Sequence, residues 1–596
     1  MRAFLAVALA PHANDRFRQP SPAALACLTD TFDVGFDGVD VAIDRTEVTA
    51  TGWTAFAGTE EFDRFGESGF TVRLSRLLRT READLSTSDL AAMMLRPSSL
   101  VQLLPPFAAA HRSEDGVLRV ATDWLGYRQL YWWQGHGVVA VSTSARALAV
   151  LSGAGLDRAG LGAQAMIGWQ IGDRTPFAGV RAMPPASIAT LQDGAIRIDW
   201  YADPFDQTRP VPSLDAAVDE MAAILSTSLS VYLEAHPEAV LQLTGGHDSR
   251  ILLGAVPEKQ RRGLRALTLG EDTSPDVMIA AKLSERYGLR HQVLHLDDVA
   301  DPTPEEAHRL ALRAARALEC QASPMALGPL LGVEARLAQG HRLSGLGGEV
   351  ARGFYYAGQP VGAETSAKLV DRLAHWRIFA NEAVEEAALD PDFRAEALTE
   401  TLGTLTEIFE PGDWLRATDA FYLYHRMHRW SGAHGTVAAV RRDAVNPMFD
   451  HRFIELALAV APGDKRESLL LGRLMNRLDP ELARIPLDTG LTPARLGVRD
   501  LSTRVAIATV TARQVARKVR QRLAHGRRAQ FGAASFADLV LSHWRTDPSA
   551  CAALYDQPVL RRDWLDGLLA GTHSAEATTV AYLVNLLALP QPASAK

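Results

Sequence analysis

Between Ser213 and Pro237 the apolar positions Leu214, Val218, Met221, Leu225, Leu229 and Tyr232 recur every three to four residues. That spacing predicts a helix with one buried face, capped by Ser213 and ended before the proline. A short apolar run at 240 to 243 follows, then Thr-Gly-Gly, a short helix, a strand in LRALTLG, a helix from about Pro275 to Tyr287 and a strand in HQVLHL. Strands alternating with helices in this way predict βαβ units and a parallel sheet. Such a sheet binds ligands beyond the carboxyl ends of its strands. Before about residue 205 the pattern differs. There, short apolar stretches broken by Gly and Pro, as in GVLRVATDWLGYRQLYWW and TPFAGVRAMPPASIATL, predict strands and tight turns, and WYADPFDQTRPVPS reads as a linker. Residues 303 to about 480 read as mostly helical, interrupted by a strand-like HRLSGLGGE at 341 to 349.

A chain of 596 residues exceeds what one hydrophobic core supports. Three regions are expected: 1–205, 206–490 and 491–596. The 47% hydrophobic and 22% charged fractions are those of a globular protein, and a net charge of -8 gives no general attraction to nucleic acid or anionic membranes. Cys27, Cys320 and Cys551 lack paired spacing, which argues against a disulfide framework or a zinc site and for a reducing compartment. The N-terminal MRAFLAVALA fits either a minimal signal peptide or a buried first strand, and its single preceding positive charge favours the strand. No stretch approaches the roughly 18 to 20 uninterrupted apolar residues of a membrane span. The expected location is therefore cytoplasmic. Residues 495 to 528 hold ten basic residues against Asp500, with Val505, Ala508, Ala512, Val515, Val519 and Leu523 on one helical stripe. That segment reads either as a solvated surface helix or as a basic face for an acidic peptide or partner protein.

The chemistry concentrates in VLQLTGGHDSRILL, residues 240 to 253. Gly245 and Gly246 remove two β-carbons where a strand turns into a helix, so a ligand can approach the backbone. Their N–H groups and the helix start are expected to face an anion together, with Thr244 and Ser249 adding hydroxyls. A carboxylate at Asp248 would repel a phosphate unless a cation lay between them, which points to magnesium. The loop has neither the lysine and spacer of a Walker motif nor the GxGxxG pattern.

LTGGHDS resembles the SGGxDS pyrophosphate loop of the asparagine-synthetase-like amide-forming enzymes, and further matches follow in that family's order. TSPDVMIAAKLSERYGLRH resembles the segment after the second strand, with Asp276 and Ala280 at usual positions. RLSGLGGEVARGFYY is similar to SGxGADExxxGY. DAVNPMFDHRFIELALAV resembles ExRxPFLD, with Asp443 at the glutamate, Pro447 at the proline and Asp450 at the last aspartate. In the first region TDWLGYRQLYW resembles RDxxGxxPLYY, and TPFAGVRAMPP resembles TxFxGIxxLPPG. The resemblance implies an N-terminal glutaminase-like, Ntn-type β-rich sandwich. To this it adds a parallel-sheet PP-loop ATP-pyrophosphatase domain with many helices, and a basic helical C-terminal extension. It also implies ATP and Mg2+ as cofactors, with Leu243, Thr244, Gly245, Gly246, Asp248, Ser249 and Gly347 around the nucleotide. Asp248 and Glu349 would hold the metal.

The departures from that pattern narrow the reading. Arg2 stands where glutamine-using members carry the nucleophilic cysteine, so glutaminase activity is expected to be absent. Leu346 replaces the residue that helps deprotonate the amine, and Asp488 or Thr489 stands where the family has a lysine. Asp443 and Arg473 are the remaining catalytic candidates, as base and phosphate contact. Family members lacking the cysteine often take the amine from the substrate itself. The resemblance thus points to a lasso-peptide macrolactam synthetase: ATP-dependent, AMP-forming closure of an isopeptide bond in a precursor peptide, working with a leader-binding protein and a leader peptidase. An amide ligase acting on a small carboxylic acid, like asparagine synthetase or β-lactam synthetase, and a non-catalytic ATP-binding scaffold are the alternatives.

Overall fold

The computed structural model describes residues 3–30, 43–58, 62–65, 69–203, 213–295, 302–335, 341–525 and 532–590. Its first part is a sandwich of two antiparallel sheets. In spatial order, one holds strands Arg181–Ala182, Tyr131–Gly135, Val138–Ser142, Ala3–Leu9, Gly52–Ala57 and Ile43–Thr49. The other holds Ala195–Trp200, Ser187–Gln192, Leu118–Thr122, Ala108–Arg112, Gly69–Arg73 and Phe62–Phe65. Strand Ala3–Leu9 lies inside its sheet, paired on both edges. Phe4 and Ala6 point into the core between the sheets, with Phe70, Val72, Ala110 and Val120. Leu5 and Val7 point the other way, into a core shared with Trp53, Leu28 and Leu148. With both faces covered, this strand has no polar side to show, which explains its unbroken apolar run.

The TDWLGYRQ segment joins this sandwich to the rest of the chain. Asp123 is fully buried and accepts backbone N–H bonds from Phe107, Leu125, Tyr127 and Arg128 at 3.1, 3.0, 2.8 and 2.9 Å. The knot this makes presents Tyr127 to Phe449, 5.0 Å between ring centroids, and Gln129 to the carbonyl of His428 at 2.7 Å.

The second sheet system is parallel throughout, in the order Arg290–Leu294, Arg265–Leu269, Val240–Gln242, Arg342–Leu343 and Ala444–Val445. Helix Leu214–Ala235 precedes it, with Ser213 accepting from Ala216 N. By length and mean hydropathy this helix could cross a membrane, but 56% of its most apolar window is buried inside the fold, as in a core helix. Helix Pro275–Tyr287 is capped by Ser274 and ends at Gly288 in the left-handed region. The expected strand at 341 to 349 is shorter, since only Arg342–Leu343 pairs. Gly347 at φ 101° then turns the chain into a tight helical turn, Gly348–Arg352. A strand does not continue through that backbone conformation.

After the sheet the chain is helical. Helices Ala533–Thr546 and Ala577–Ala588 pack on Pro304–Ala317 and Pro324–Ala335, with Trp544 donating to His308 Nδ1 at 3.1 Å and Asn585 to the Ala322 carbonyl at 2.9 Å. The basic segment forms helix Leu501–His525. On its described turns Val505 is 59% exposed, and Ala508 and Ala512 also face solvent. Val515, Val519 and Leu523 have side chains outside the described residues.

Candidate active site

The parallel sheet is built outward from its centre in two directions. From Val240–Gln242 the chain goes to 265 and 290 on one side, then crosses to 342 and 444 on the other. The loops leaving strands Val240–Gln242 and Arg342–Leu343 therefore diverge over a crevice at their carboxyl ends, the place where such sheets hold ligands. One loop carries Thr244 to Ser249, and the other carries Gly345 to Glu349.

These two loops touch through glycine. A β-carbon at Gly345 would lie 2.6 Å from the backbone of Asp248, and one at Gly348 would lie 2.3 Å from Asp248 Oδ1. A methyl group at Gly347 would strike the Phe449 ring at 2.7 Å. Their absence lets Glu349 come close enough for its charge to act on Asp248. The Asp248 carboxyl is pushed up to about 7, first by burial and then by Glu349, with Arg352 opposing. Asp248 Oδ1 is buried and makes no hydrogen bond.

Arg352 faces both carboxylates, its Nη2 at 3.7 Å from Asp248 Oδ2 and 3.9 Å from Glu349 Oε1. Those separations are ion pairs and not hydrogen bonds. Burial alone would lower the Arg352 pKa, and the two carboxylates outweigh it. Glu349 Oε2 accepts from Gly347 N at 3.2 Å. Buried Tyr422 hydrogen-bonds Glu349, and its phenol is held protonated by burial and then by that charge.

The glycine loop differs from the sequence expectation in one respect. Gly245 N donates to Asp276 at 2.7 Å and Gly246 N to Thr244 Oγ1 at 3.3 Å, so neither N–H faces outward. Thr244 N and Oγ1 both lie 3.0 Å from Ser249 Oγ. At the start of helix His247–Ala255, Gly246 stands at the cap without a side-chain hydrogen bond to the first turn. Burial pushes His247 down to about 3, so it stays neutral there. Leu243 is fully buried and extends the sheet through Leu267.

Arg250 braces the loop from behind. It donates to the carbonyls of Ile485, Pro486 and Gly245 at 2.6, 3.0 and 3.3 Å. Asp488 N donates to the same Gly245 carbonyl at 3.2 Å, bringing the 485–488 segment against the loop. The Asp488 pKa is raised by burial and then by Asp276.

Two sequence candidates are placed elsewhere. Asp443 precedes strand Ala444–Val445 and so stands at the amino edge of the sheet, where it receives Arg76 Nε at 3.2 Å. Arg473 turns to Asp215 at 2.7 Å and to the Gly497 carbonyl at 3.3 Å. Asp450 caps helix His451–Ala459 and takes a two-pronged bond from Arg81 at 2.9 and 2.7 Å. Arg2 lies outside the described residues. The thiols of Cys27, Cys320 and Cys551 have pKa values raised by burial, which suits none of them to nucleophilic work.

Arg352, Arg250 and Tyr422 were not picked out from sequence. Arg352 had a signal, since it lies three residues after Glu349, a spacing that brings side chains together on a helical turn. Tyr422 had none, because its approach to Glu349 spans over seventy residues of chain.

The carboxylate pair has the chemistry of a site for a hard divalent ion. An orphaned buried carboxylate oxygen, a second carboxylate within electrostatic reach and a glycine whose side chain would lie against that oxygen fit what magnesium requires.

No family model and no curated protein matches this chain. Among solved structures it is similar to the glutamine phosphoribosylpyrophosphate amidotransferase from B. subtilis complexed with ADP and GMP. Identity is 11%, coverage 56% of this chain and 94% of that one, and the TM-score 0.21. A structure of the allosteric regulatory enzyme of purine biosynthesis gives 11% identity, coverage of 56% and 92%, and a TM-score of 0.22. At such TM-scores the likeness supports no inference about activity.

Proposed function

We propose that this protein is an ATP-using ligase that forms an amide bond and releases AMP and pyrophosphate. The observation that carries the reading is Asp248 Oδ1: a buried carboxylate oxygen without a hydrogen-bond partner, beside Glu349 and an uncapped helix start, at the switch point of a parallel sheet. Burying such a group unpaired costs several kcal/mol by order of magnitude (~1–3 kcal/mol or more), and a site built for a ligand explains why it persists.

Magnesium held by Asp248 and Glu349 would supply charge neutralisation for pyrophosphate. The first turn of helix His247–Ala255, which has no side-chain cap, would offer N–H groups to the phosphates, and Arg250 fixes the loop's path by gripping three carbonyls. Arg352 is the cation nearest the carboxylates among the described residues, and it stands in for the absent family lysine as a partner for developing negative charge. In the reaction, a substrate carboxylate oxygen attacks the α-phosphorus of ATP, pyrophosphate leaves, and an amine then displaces AMP from the acyl carbon.

The sequence resemblance makes the substrate a precursor peptide whose Asp or Glu side chain is joined to its own N-terminal amine, giving a lasso macrolactam. The replacement of the glutaminase cysteine by Arg2 supports an amine carried by the substrate. The test is mass spectrometry of core peptides incubated with enzyme, magnesium and ATP. A product one water lighter, with AMP and pyrophosphate in equal amounts, supports the reading. ATP turnover stimulated by small acids and not by peptides moves the assignment to a small-molecule amide ligase. Nucleotide binding without turnover under either condition ends the enzymatic reading.

A further inference from the structure

At the amino edge of the parallel sheet, opposite the nucleotide crevice, three side chains from neighbouring turns converge. His236 ends helix Leu214–Ala235, Glu238 precedes strand Val240–Gln242, and His341 precedes strand Arg342–Leu343. Glu238 Oε1 lies 3.8 Å from His236 Nδ1 and 3.5 Å from His341 Nε2. One ligand atom from each residue lies within 4.8 Å of the others. Zinc bonds of about 2.0–2.2 Å in a tetrahedron set neighbouring donor atoms roughly 3.3–3.5 Å apart, so the cluster is within a small side-chain adjustment of that spacing.

The outward ring nitrogens make the stronger case. His236 Nε2 is 2.6 Å from Asp84 Oδ2, and His341 Nδ1 is 3.3 Å from Asp443 Oδ2. Each imidazole thus turns one nitrogen toward the shared centre and has a carboxylate behind the other. For His236 that contact is a hydrogen bond, the arrangement that fixes the tautomer of a metal-bound histidine and raises its basicity, whereas His341 Nδ1 and Asp443 are in ion-pair contact only. Both carboxylates are themselves held, Asp84 by Arg79 at 2.8 Å and Asp443 by Arg76 at 3.2 Å. His341 Nδ1 is buried without a hydrogen bond, and the two rings lie 4.2 Å apart at 37°.

We propose that His236, Glu238 and His341 form a site for one zinc-class divalent ion, backed by Asp84 and Asp443. The mixed nitrogen and oxygen donors select a borderline ion such as Zn2+ or Co2+ over Mg2+. Through Asp84, the site ties the sandwich to the parallel-sheet region. It shares no residue with the nucleotide loops and does not depend on the proposed ligase reaction.

The experiment uses the full chain carrying Asp248→Asn, which disables the crevice carboxylate pair, stripped with chelator and then titrated. The expected result is one Zn2+ per chain by calorimetry, unaffected by millimolar Mg2+, and a visible Co2+ band of tetrahedral intensity. His341→Gln and, separately, the half-exposed Glu238→Gln abolish the Co2+ band, and Asp84→Asn weakens Zn2+ binding about 10- to 100-fold. Thermal unfolding of each metal-free variant confirms that it is folded. Absence of stoichiometric Zn2+ or Co2+ binding in the Asp248→Asn parent overturns the proposal. So does binding that survives both the His341 and Glu238 changes. Either result leaves the histidines as ion-pair partners of the surrounding carboxylates.

Discussion

Arg352 holds one guanidinium nitrogen 3.7 Å from Asp248 and 3.9 Å from Glu349, so two acidic groups from different loops share one cation that hydrogen-bonds neither. One cation offsets only one of the two carboxylate charges, and Asp248 Oδ1 is left without a hydrogen bond. Arg352→Gln should cut pyrophosphate release by about 100-fold or more, the scale of losing one charge-stabilising donor. Arg352→Lys should recover part of the loss, since charge is kept while the planar fork is lost. Full activity in the Gln variant would remove Arg352 from the reaction.

Asp248 sets a pH dependence whose sign follows from its environment. In the folded, metal-free protein its carboxyl is pushed up to about 7, by burial first and Glu349 second. An unfolded aspartate titrates at about 3.9. The folded state holds the proton more tightly, so its stabilising contribution is full below about pH 4 and is lost as pH rises to about 7. Between those limits the metal-free protein should lose melting temperature more steeply than Asp248→Asn. Magnesium needs the ionised form, so its affinity should rise up to about pH 7 with proton release on binding, measured by calorimetry in buffers of different ionisation enthalpy. Equal pH slopes for the two proteins would contradict this account.

Gly348 is open to a minimal steric test. A methyl group there would lie 2.3 Å from Asp248 Oδ1 and 2.8 Å from Met448 Sδ. Gly348→Ala should displace the carboxylate and cost about 1–3 kcal/mol of stability by overpacking. Activity should fall far more than stability, with an unchanged circular dichroism spectrum. An active, equally stable alanine variant would mean that the two loops can separate freely.

Lys465 is buried, and its ammonium is paired with Asp419, which also accepts from Tyr356 at 2.7 Å. Burial lowers the lysine pKa and raises that of the aspartate, and each opposes the shift of the other. Lys465→Met leaves Asp419 charged and unpaired, so chemical denaturation should show a loss of about 3–5 kcal/mol. The double variant with Asp419→Asn should recover part of it. If the single variant unfolds like the parent, the pair contributes nothing.

Arg473 provides a contrast. It is bonded to exposed Asp215 and to a backbone carbonyl, away from the crevice. Arg473→Ala should change stability by about 0–1 kcal/mol and leave turnover within about threefold of the parent. A large fall in turnover would reinstate it as a phosphate contact.

The one-dimensional pattern determined the features that depend on near neighbours in the chain. Apolar spacing defined helix Leu214–Ala235 with its Ser213 cap, and the βαβ alternation, helix Pro275–Tyr287 included, announced a parallel sheet. Gly-Gly between strand and helix marked the loop, because glycine reports backbone geometry directly. Those constraints act over a few residues and are written in the residues themselves.

Tertiary structure decided which groups meet. Glu349 reaches Asp248 because Gly345 and Gly348 let two loops touch, whereas Asp443 falls at the far edge of the sheet by preceding its strand instead of following it. The inward-turned N–H groups of Gly245 and Gly246 follow from Asp276 and Thr244 claiming them first. The cluster of His236, Glu238 and His341 is assembled across a hundred residues of chain by the parallel pairing of Val240–Gln242 with Arg342–Leu343. Strand direction and register place such groups, and neither is encoded by the spacing of the residues themselves.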